Sequence, residues 1–232
     1  MTPEDIQNRV LYRDGLMLII DKPAGIPVHA GPKGGENLEQ YFTHLTFGWS
    51  KPPSLAHRLD RDTSGCLVLG RHPKALRKLG KLFMGAGVQK TYWAITQGHP
   101  PADSGTINLP LAKLSKDTRS WWVKVDEQEG KPSVTDYKVL GKTATHAWIE
   151  CYPRTGRTHQ IRVHLAALGC PIVGETIYAG RDLKDTSQPT LHLLSRSISI
   201  PLGTGKPTVS ATAPAPLHMH SLLSSCGWKQ ER

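Results

Sequence analysis

Hydrophobic and polar positions along the chain fall into short blocks whose spacing changes from segment to segment. RVLYRDGLMLIIDKPAG, residues 9–25, reads as a short strand, an Asp14-Gly15 turn signal and an apolar strand that ends at Pro23. That is a hairpin pattern. ENLEQYFTHL opens with Asn37 three residues before Gln40, the spacing of a capping box, and predicts a short helix. HRLDRDTSG, residues 57–65, reads as a loop feeding the strand CLVLG. After Pro73, KALRKLGKLF has helical period, with Leu76, Leu79, Leu82 and Phe83 on one side and Lys74, Arg77, Lys78 and Lys81 on the other.

From Val88 the pattern turns to strands: VQKTYWAIT, SWWVKV, PSVTDYKVL and THAWIECYP are rich in β-branched and aromatic residues and separated by turn formers. The pair Trp121-Trp122 is expected to pack against the sheet. THQIRVHLAALG predicts a helix capped by Gly169, LHLLSRSISI a further strand, and APLHMHSLLSSCG a final short helix. Strands dominate and helices are interspersed without βαβ alternation. The predicted class is α+β with a largely antiparallel or mixed sheet.

At 232 residues, with 38% hydrophobic and 21% charged positions, the chain suits one globular domain over 1–232. No apolar run approaches the ~20 residues that cross a bilayer. The polar N-terminus MTPEDIQNRV resembles neither a signal nor a transit peptide, so a cytoplasmic protein is expected. Cys66, Cys151, Cys170 and Cys226 are scattered without a C-x-x-C pair, as buried free thiols in a reducing compartment would be. Against 19 acidic residues stand 29 Lys and Arg, a net charge of +10. Such an excess suits a polyanion partner, although charge alone leaves nucleic acid and no partner both open.

The densest chemistry lies in HRLDRDTSG, where Asp60 is either a reacting carboxylate or half of an ion pair with Arg58. Asp60 and Asp62 stand two apart in one loop, unlike the carboxylates of a glycosidase, which flank a sugar from opposite faces. His159 and His164 are five apart, poor spacing for joint metal ligation on a helix. No phosphate-binding glycine motif supports a nucleotide cofactor. The stripe Lys74, Arg77, Lys78 and Lys81 reads as a solvated helix face or as phosphate contacts.

HRLDRDTSG, KTYWAIT and RTGRTHQIRVHLAALGCPIVGETIYAG, in this order, resemble the pseudouridine synthases of the RluA-like branch. LIIDKPAGIPVH and GKPSVTDYKVL resemble that family's flanking segments, so the likeness runs from about residue 10 to about residue 200. It implies a catalytic aspartate at Asp60, an active-site tyrosine at Tyr92, and at Arg162 the arginine that pairs with the catalytic carboxylate. It also implies a long mixed, mainly antiparallel sheet flanked by helices and loops, with the RNA site in a central cleft. RNA contacts are expected at His57, Arg58, Arg61, Lys90 and His159, within the matched motifs, and along the stripe of the basic helix. The chain departs from the pattern at Cys66, usually aliphatic, at Glu175, where Asp is common, and in LHLLSRSISIP, which lacks the usual L-H-A and H-P. None of these is a proposed reacting group.

The implied reaction breaks a uridine's glycosidic bond, turns the uracil and rejoins it through a ring carbon. A carboxylate beside the sugar serves as nucleophile at the anomeric carbon or as base for the neighbouring ribose hydrogen. An aromatic platform keeps the loose uracil in place, and its hydroxyl is a candidate for the ring proton. No redox change or phosphate activation occurs, so no cofactor or metal is expected. The uridine must be flipped out of its stack, which gives Arg58 two readings: a guanidinium filling the vacated space, or an ion pair with Asp62. The expected partner is transfer or ribosomal RNA, with the protein a monomer without an obligate protein partner, a membrane association or an appended N-terminal RNA-binding domain. An RNA-binding or chaperone protein on the same scaffold, without catalysis, is the alternative. A nucleoside hydrolase would need a second, water-activating carboxylate that the sequence does not supply.

Overall fold

The structure is a computed structural model, and it describes residues 1–31, 34–85, 87–115, 121–179 and 189–230. In chain order the first elements are α1 (Pro3–Gln7), β1 (Val10–Arg13), β2 (Met17–Lys22), a 3-10 helix (Leu38–Leu45), β3 (Ser54–Leu55), β4 (Ser64–Gly70) and α2 (Pro73–Met84). Six strands follow: β5 (Gln89–Gln97), β6 (Ser104–Asn108), β7 (Leu111–Lys113), β8 (Val123–Val125), β9 (Val134–Lys142) and β10 (His146–Pro153). The chain continues through α3 (Gln160–Ala167), β11 (Leu193–Pro201), β12 (Thr208–Thr212) and α4 (Leu217–Ser225). It is an α+β fold, mainly antiparallel, and it divides into two compact units. The first comprises Met1–Lys90 with Ser195–Pro214; the second comprises Thr91–Leu194 with Ala215–Arg232.

In the first unit the predicted hairpin forms, with β1 antiparallel to β2 and Tyr12 opposite Ile19. β2 pairs in turn with β4, Ile20 opposite Leu67. Both strands are buried on both faces, which is why their sequences read as continuous apolar runs rather than as alternation. β11 lies beside β4 and pairs with β12, Ile200 opposite Val209. α2 sits close to the end of β4: a Cβ at Gly70 would lie 2.7 Å from the Leu76 side chain, so only glycine allows that approach. The helix buries Ala75 and Leu79 and leaves Lys74, Arg77 and Lys81 exposed, the two faces that its period predicted.

The second unit orders its strands β5-β10-β9-β6, every pairing antiparallel. β10 alternates: Ala147, Ile149 and Cys151 point into the core, where Ile161 and Leu165 of α3 meet them. β7 and β8 form a separate hairpin whose Leu111 and Val123 pack on Val163 of α3. Gly169, with φ +78°, follows the last helical turn of α3 as predicted.

Three local expectations change. The capping box of ENLEQYFTHL does not form, because Asn37 Nδ2 and Gln40 Nε2 both donate to the Gly35 carbonyl, and the segment winds as a 3-10 helix. Trp121 and Trp122 are 51% and 39% exposed, less covered than the expected packing against the sheet would leave them. The helix expected from Thr158 starts at Gln160, because His159 takes a left-handed φ of 53°. Ser120 and Gly180, at the ends of two quoted segments, lie outside the described residues. All four cysteines are buried free thiols, as expected.

Candidate active site

The segment that carries Asp60 belongs to the first unit. It leaves β3, crosses to β4 and closes through a turn in which Thr63 N–H donates to the Asp60 carbonyl at 3.2 Å. Its first residue, His57, accepts the Val68 N–H at Nε2 (3.0 Å), and its ring stacks 4.5 Å from Phe83 of α2. Burial pulls the His57 pKa down to about 3, so the ring is neutral and binds the loop to β4 and α2. Asp60 itself is half-buried and Arg58 exposed. Asp62 receives both Nε and Nη2 of Arg61, at 3.0 and 3.2 Å, so Arg61 forks onto this carboxylate. Lys90 is half-buried, and its desolvation lowers its proton affinity.

Sequence reasoning missed the residue that holds this loop. Lys22, the last residue of β2, has no exposed surface, and its Nζ donates to the carbonyls of Pro23, Ile26 and Arg61 at 2.7, 2.9 and 2.8 Å. One ammonium thus uses its three N–H groups to join the turn after β2 to the peptide next to Asp60. Burial pulls the Lys22 pKa down to about 7, against the opposing fields of Asp62, Asp60 and Asp21. The available signal was a lysine ending an apolar run directly before proline.

Lys22→Met is expected to leave three carbonyls unpaired and to lower stability by about 3 kcal/mol or more. In wild type the folded chain binds fewer protons than the unfolded chain between the folded pKa of about 7 and the ordinary value of 10.5, so this group's contribution to stability rises with pH across that window. The substitution should remove that slope. Urea melts at several pH values check both, and an unchanged midpoint with an unchanged slope would refute the clamp.

Tyr92 and Arg162 belong to the second unit. Tyr92 is half-buried on β5 opposite Cys151 and packs against the core cluster of Ile149, Ile161 and Leu165. Arg162, 4% exposed, lies in α3, whose start is fixed by Gln160. The Gln160 amide oxygen accepts from Thr155 Oγ1 and Arg157 N, while its Nε2 donates to Val134 O and Thr135 Oγ1. His164 is a structural residue: it bridges Thr135 Oγ1 and the Leu109 carbonyl, and burial lowers its pKa.

Arg162 Nε and Nη2 donate to Glu175 Oε2 and Oε1 at 2.7 and 2.8 Å, a two-pronged ion pair on a carboxylate with no exposed surface. Burial opposes ionisation of Glu175, but Arg162 and the N–H groups of Ile177 and Tyr178 outweigh it and hold its pKa below the ordinary value. The Tyr178 ring lies 5.5 Å from the Arg162 guanidinium, and its hydroxyl pairs with His159 Nδ1 at 2.6 Å and accepts the Val123 N–H. A half-turn of chain after Gly174 therefore fixes both the arginine and the left-handed histidine before it. The sequence marked Glu175 only as a departure from the usual Asp, and Tyr178 gave no signal of its own.

A family model described as RNA pseudouridylate synthase matches residues 16–167. The chain is 43% identical over 212 residues to an uncharacterized RNA pseudouridine synthase of Zymomonas mobilis, covering 91% of this chain and 95% of that protein. It is 33% identical to the ribosomal large subunit pseudouridine synthase D of Xanthomonas campestris, over 96% of this chain and 70% of that one. Among solved structures, human RNA pseudouridylate synthase domain containing 4 is similar, with a TM-score of 0.81 at 25% identity over 99% of this chain and 97% of that chain.

Proposed function

The chain belongs to the RNA pseudouridylate synthase family, and we propose that it converts particular uridines of ribosomal or transfer RNA to pseudouridine with Asp60, Tyr92 and Arg162 as its catalytic set. It is an isomerase acting on RNA. The observation that supports the residue assignment is that the family match, residues 16–167, takes in Asp60, Tyr92 and Arg162. The names of relatives such as the Xanthomonas campestris enzyme favour ribosomal RNA over transfer RNA.

In this reading the Asp60 carboxylate acts beside the ribose, either at the anomeric carbon or on the neighbouring hydrogen, and Arg162 is its counter-charge. Tyr92 holds the detached uracil against its ring. His57, Arg58, Arg61, Lys90 and His159 line the approach of the RNA, and the exposed stripe of α2 meets its phosphates. Arg58 fills the place of the flipped base. A protein that only bound RNA would have no use for a half-buried carboxylate that repels phosphate. No helix is long and apolar enough to cross a membrane among the described residues, and the proposed setting is a cytoplasmic monomer of one catalytic domain that needs no protein partner.

The test is release of the ring-carbon hydrogen from RNA carrying labelled uridine. Wild-type protein is expected to release it without added nucleotide, and Tyr92→Phe, which keeps the platform, to retain turnover. No release from ribosomal or transfer RNA would overturn the function; a collapse confined to Tyr92→Phe would move the tyrosine from stacking to proton transfer.

A further inference from the structure

The first unit holds a second cluster of cations and aromatic rings, at the far end of α2 from the Asp60 loop. Arg71, 8% exposed, donates through Nη1 to the Asp14 carbonyl and through Nη2 to the Thr46 and Phe47 carbonyls. These bonds hold a tight turn in which Trp49 N–H donates to the Thr46 carbonyl and both Phe47 and Gly48 have left-handed backbone, φ 45° and 85°. The turn brings Trp49 to the surface, 43% exposed, with its ring stacked on His72 at 5.5 Å and 17° and the Arg71 guanidinium 5.1 Å from its centre. Beside it the exposed Arg13 lies 4.5 Å from the centre of the Phe47 ring.

A left-handed phenylalanine and a buried arginine are unusual means of placing a tryptophan in water. If the turn merely covered the core, the indole would be the group to bury. The surroundings give the occupant its charge. His72 caps α2, and that helix carries Lys74, Arg77, Lys78 and Lys81 with no acidic residue. None of these four, nor Arg13, has a carboxylate partner among the described residues. The carboxylate of Asp14, next in sequence to Arg13, is taken up by Tyr12 Oη and the N–H groups of Leu16 and Met17. At its other end α2 carries Phe83 against His57 of the Asp60 loop. The 12 residues of the helix therefore span about 18 Å between that loop and Trp49.

We propose that the Phe47–Trp49 turn, with Arg13, is a distal RNA anchor: an unpaired base of the substrate stacks on Trp49 and an adjoining phosphate meets Arg13, while the intervening backbone follows the basic face of α2. The proposal rests on the RNA isomerase reading and adds a contact remote from the reacting uridine. Polyanion with planar groups is the chemistry that both halves of the patch recognise, and nucleic acid supplies the two together. An acidic protein segment would satisfy the cations and leave the indole without a purpose.

Labelled oligouridylate binding over a salt series, with steady-state turnover on ribosomal RNA, tests it. Trp49→Ala is expected to weaken binding about 5- to 150-fold, the range for loss of one base stack, with the salt slope kept. It should raise KM and leave kcat unchanged, and Trp49→Phe should recover most of the loss. Arg13→Gln is expected to reduce the slope of log affinity against log salt by about 0.7, the single-strand value for one phosphate. Should Trp49→Ala fail to fold, the salt slope of Arg13→Gln still reads the patch. Affinity within twofold of wild type in every folded Trp49 variant, together with an unchanged salt slope in Arg13→Gln, would overturn the anchor, as would an acidic peptide competing as well as RNA. If wild-type protein bound no RNA at all, the isomerase reading would fail first, and the two failures are thus separable.

Discussion

Asp60→Asn is expected to reduce turnover by about 10⁴-fold or more while RNA affinity stays the same or rises. The size follows from the role: loss of a nucleophile or of an essential base removes a step that nothing else in the loop supplies. Asp62 is no substitute, since Arg61 already forks onto it. The amide matches the carboxylate in shape, and the turn closes through the Asp60 backbone carbonyl, so the loop should keep its conformation. Removing a negative charge from a surface that must receive phosphate favours binding, more so at low salt. Single-turnover kinetics and filter binding on the same RNA, with a thermal melt to verify the fold, make the measurement. Turnover within tenfold of wild type would exclude Asp60 as the reacting group. Lost binding with an intact fold would make it a structural residue instead.

The sequence was legible where one local rule decided the outcome. The β1–β2 hairpin followed from Asp14-Gly15, and α2 from Pro73 and a 3.6-residue period, because neither depends on a distant partner. β12, whose sequence is TVSAT, gave no apolar run to recognise; it exists because β11 offers it a ladder. β6 and β7 were missed for the same reason, each being short and held by its neighbour. The start of α3 depends on the Gln160 amide reaching Val134 and Thr135, more than 20 positions away, and no local pattern encodes that reach. At the candidate site the motifs named the side chains proposed to react and missed what holds them. Lys22 looked like the polar end of a strand, yet it is wholly buried and reaches the Arg61 carbonyl 39 positions on. Supporting residues are hard to read because their function is a contact, and contacts between distant segments exist only in the fold.

Glu175 is the case with the largest expected consequence. Arg162→Ala should lower stability by about 3–5 kcal/mol, because it strands the Glu175 carboxylate, which has no exposed surface, without its counter-charge. Glu175→Gln should cost less, since the amide oxygen can still accept from the Ile177 and Tyr178 N–H groups and from one prong of the arginine. The double variant Arg162→Met/Glu175→Gln should be more stable than Arg162→Ala alone, because neither charge is then left buried and alone. Activity separates the two residues in the opposite sense. In the proposed catalytic set Arg162 acts on the substrate, whereas Glu175 acts through Arg162 by fixing its side chain. Arg162→Met/Glu175→Gln should therefore recover stability without recovering turnover, and Glu175→Asp, one methylene shorter, should keep most of the stability while lowering kcat with little change in KM. Denaturant midpoints beside kcat and KM for the four variants give the comparison. If the double variant turned over at the wild-type rate, Arg162 would be a purely structural partner of Glu175 and would have to be removed from the catalytic set.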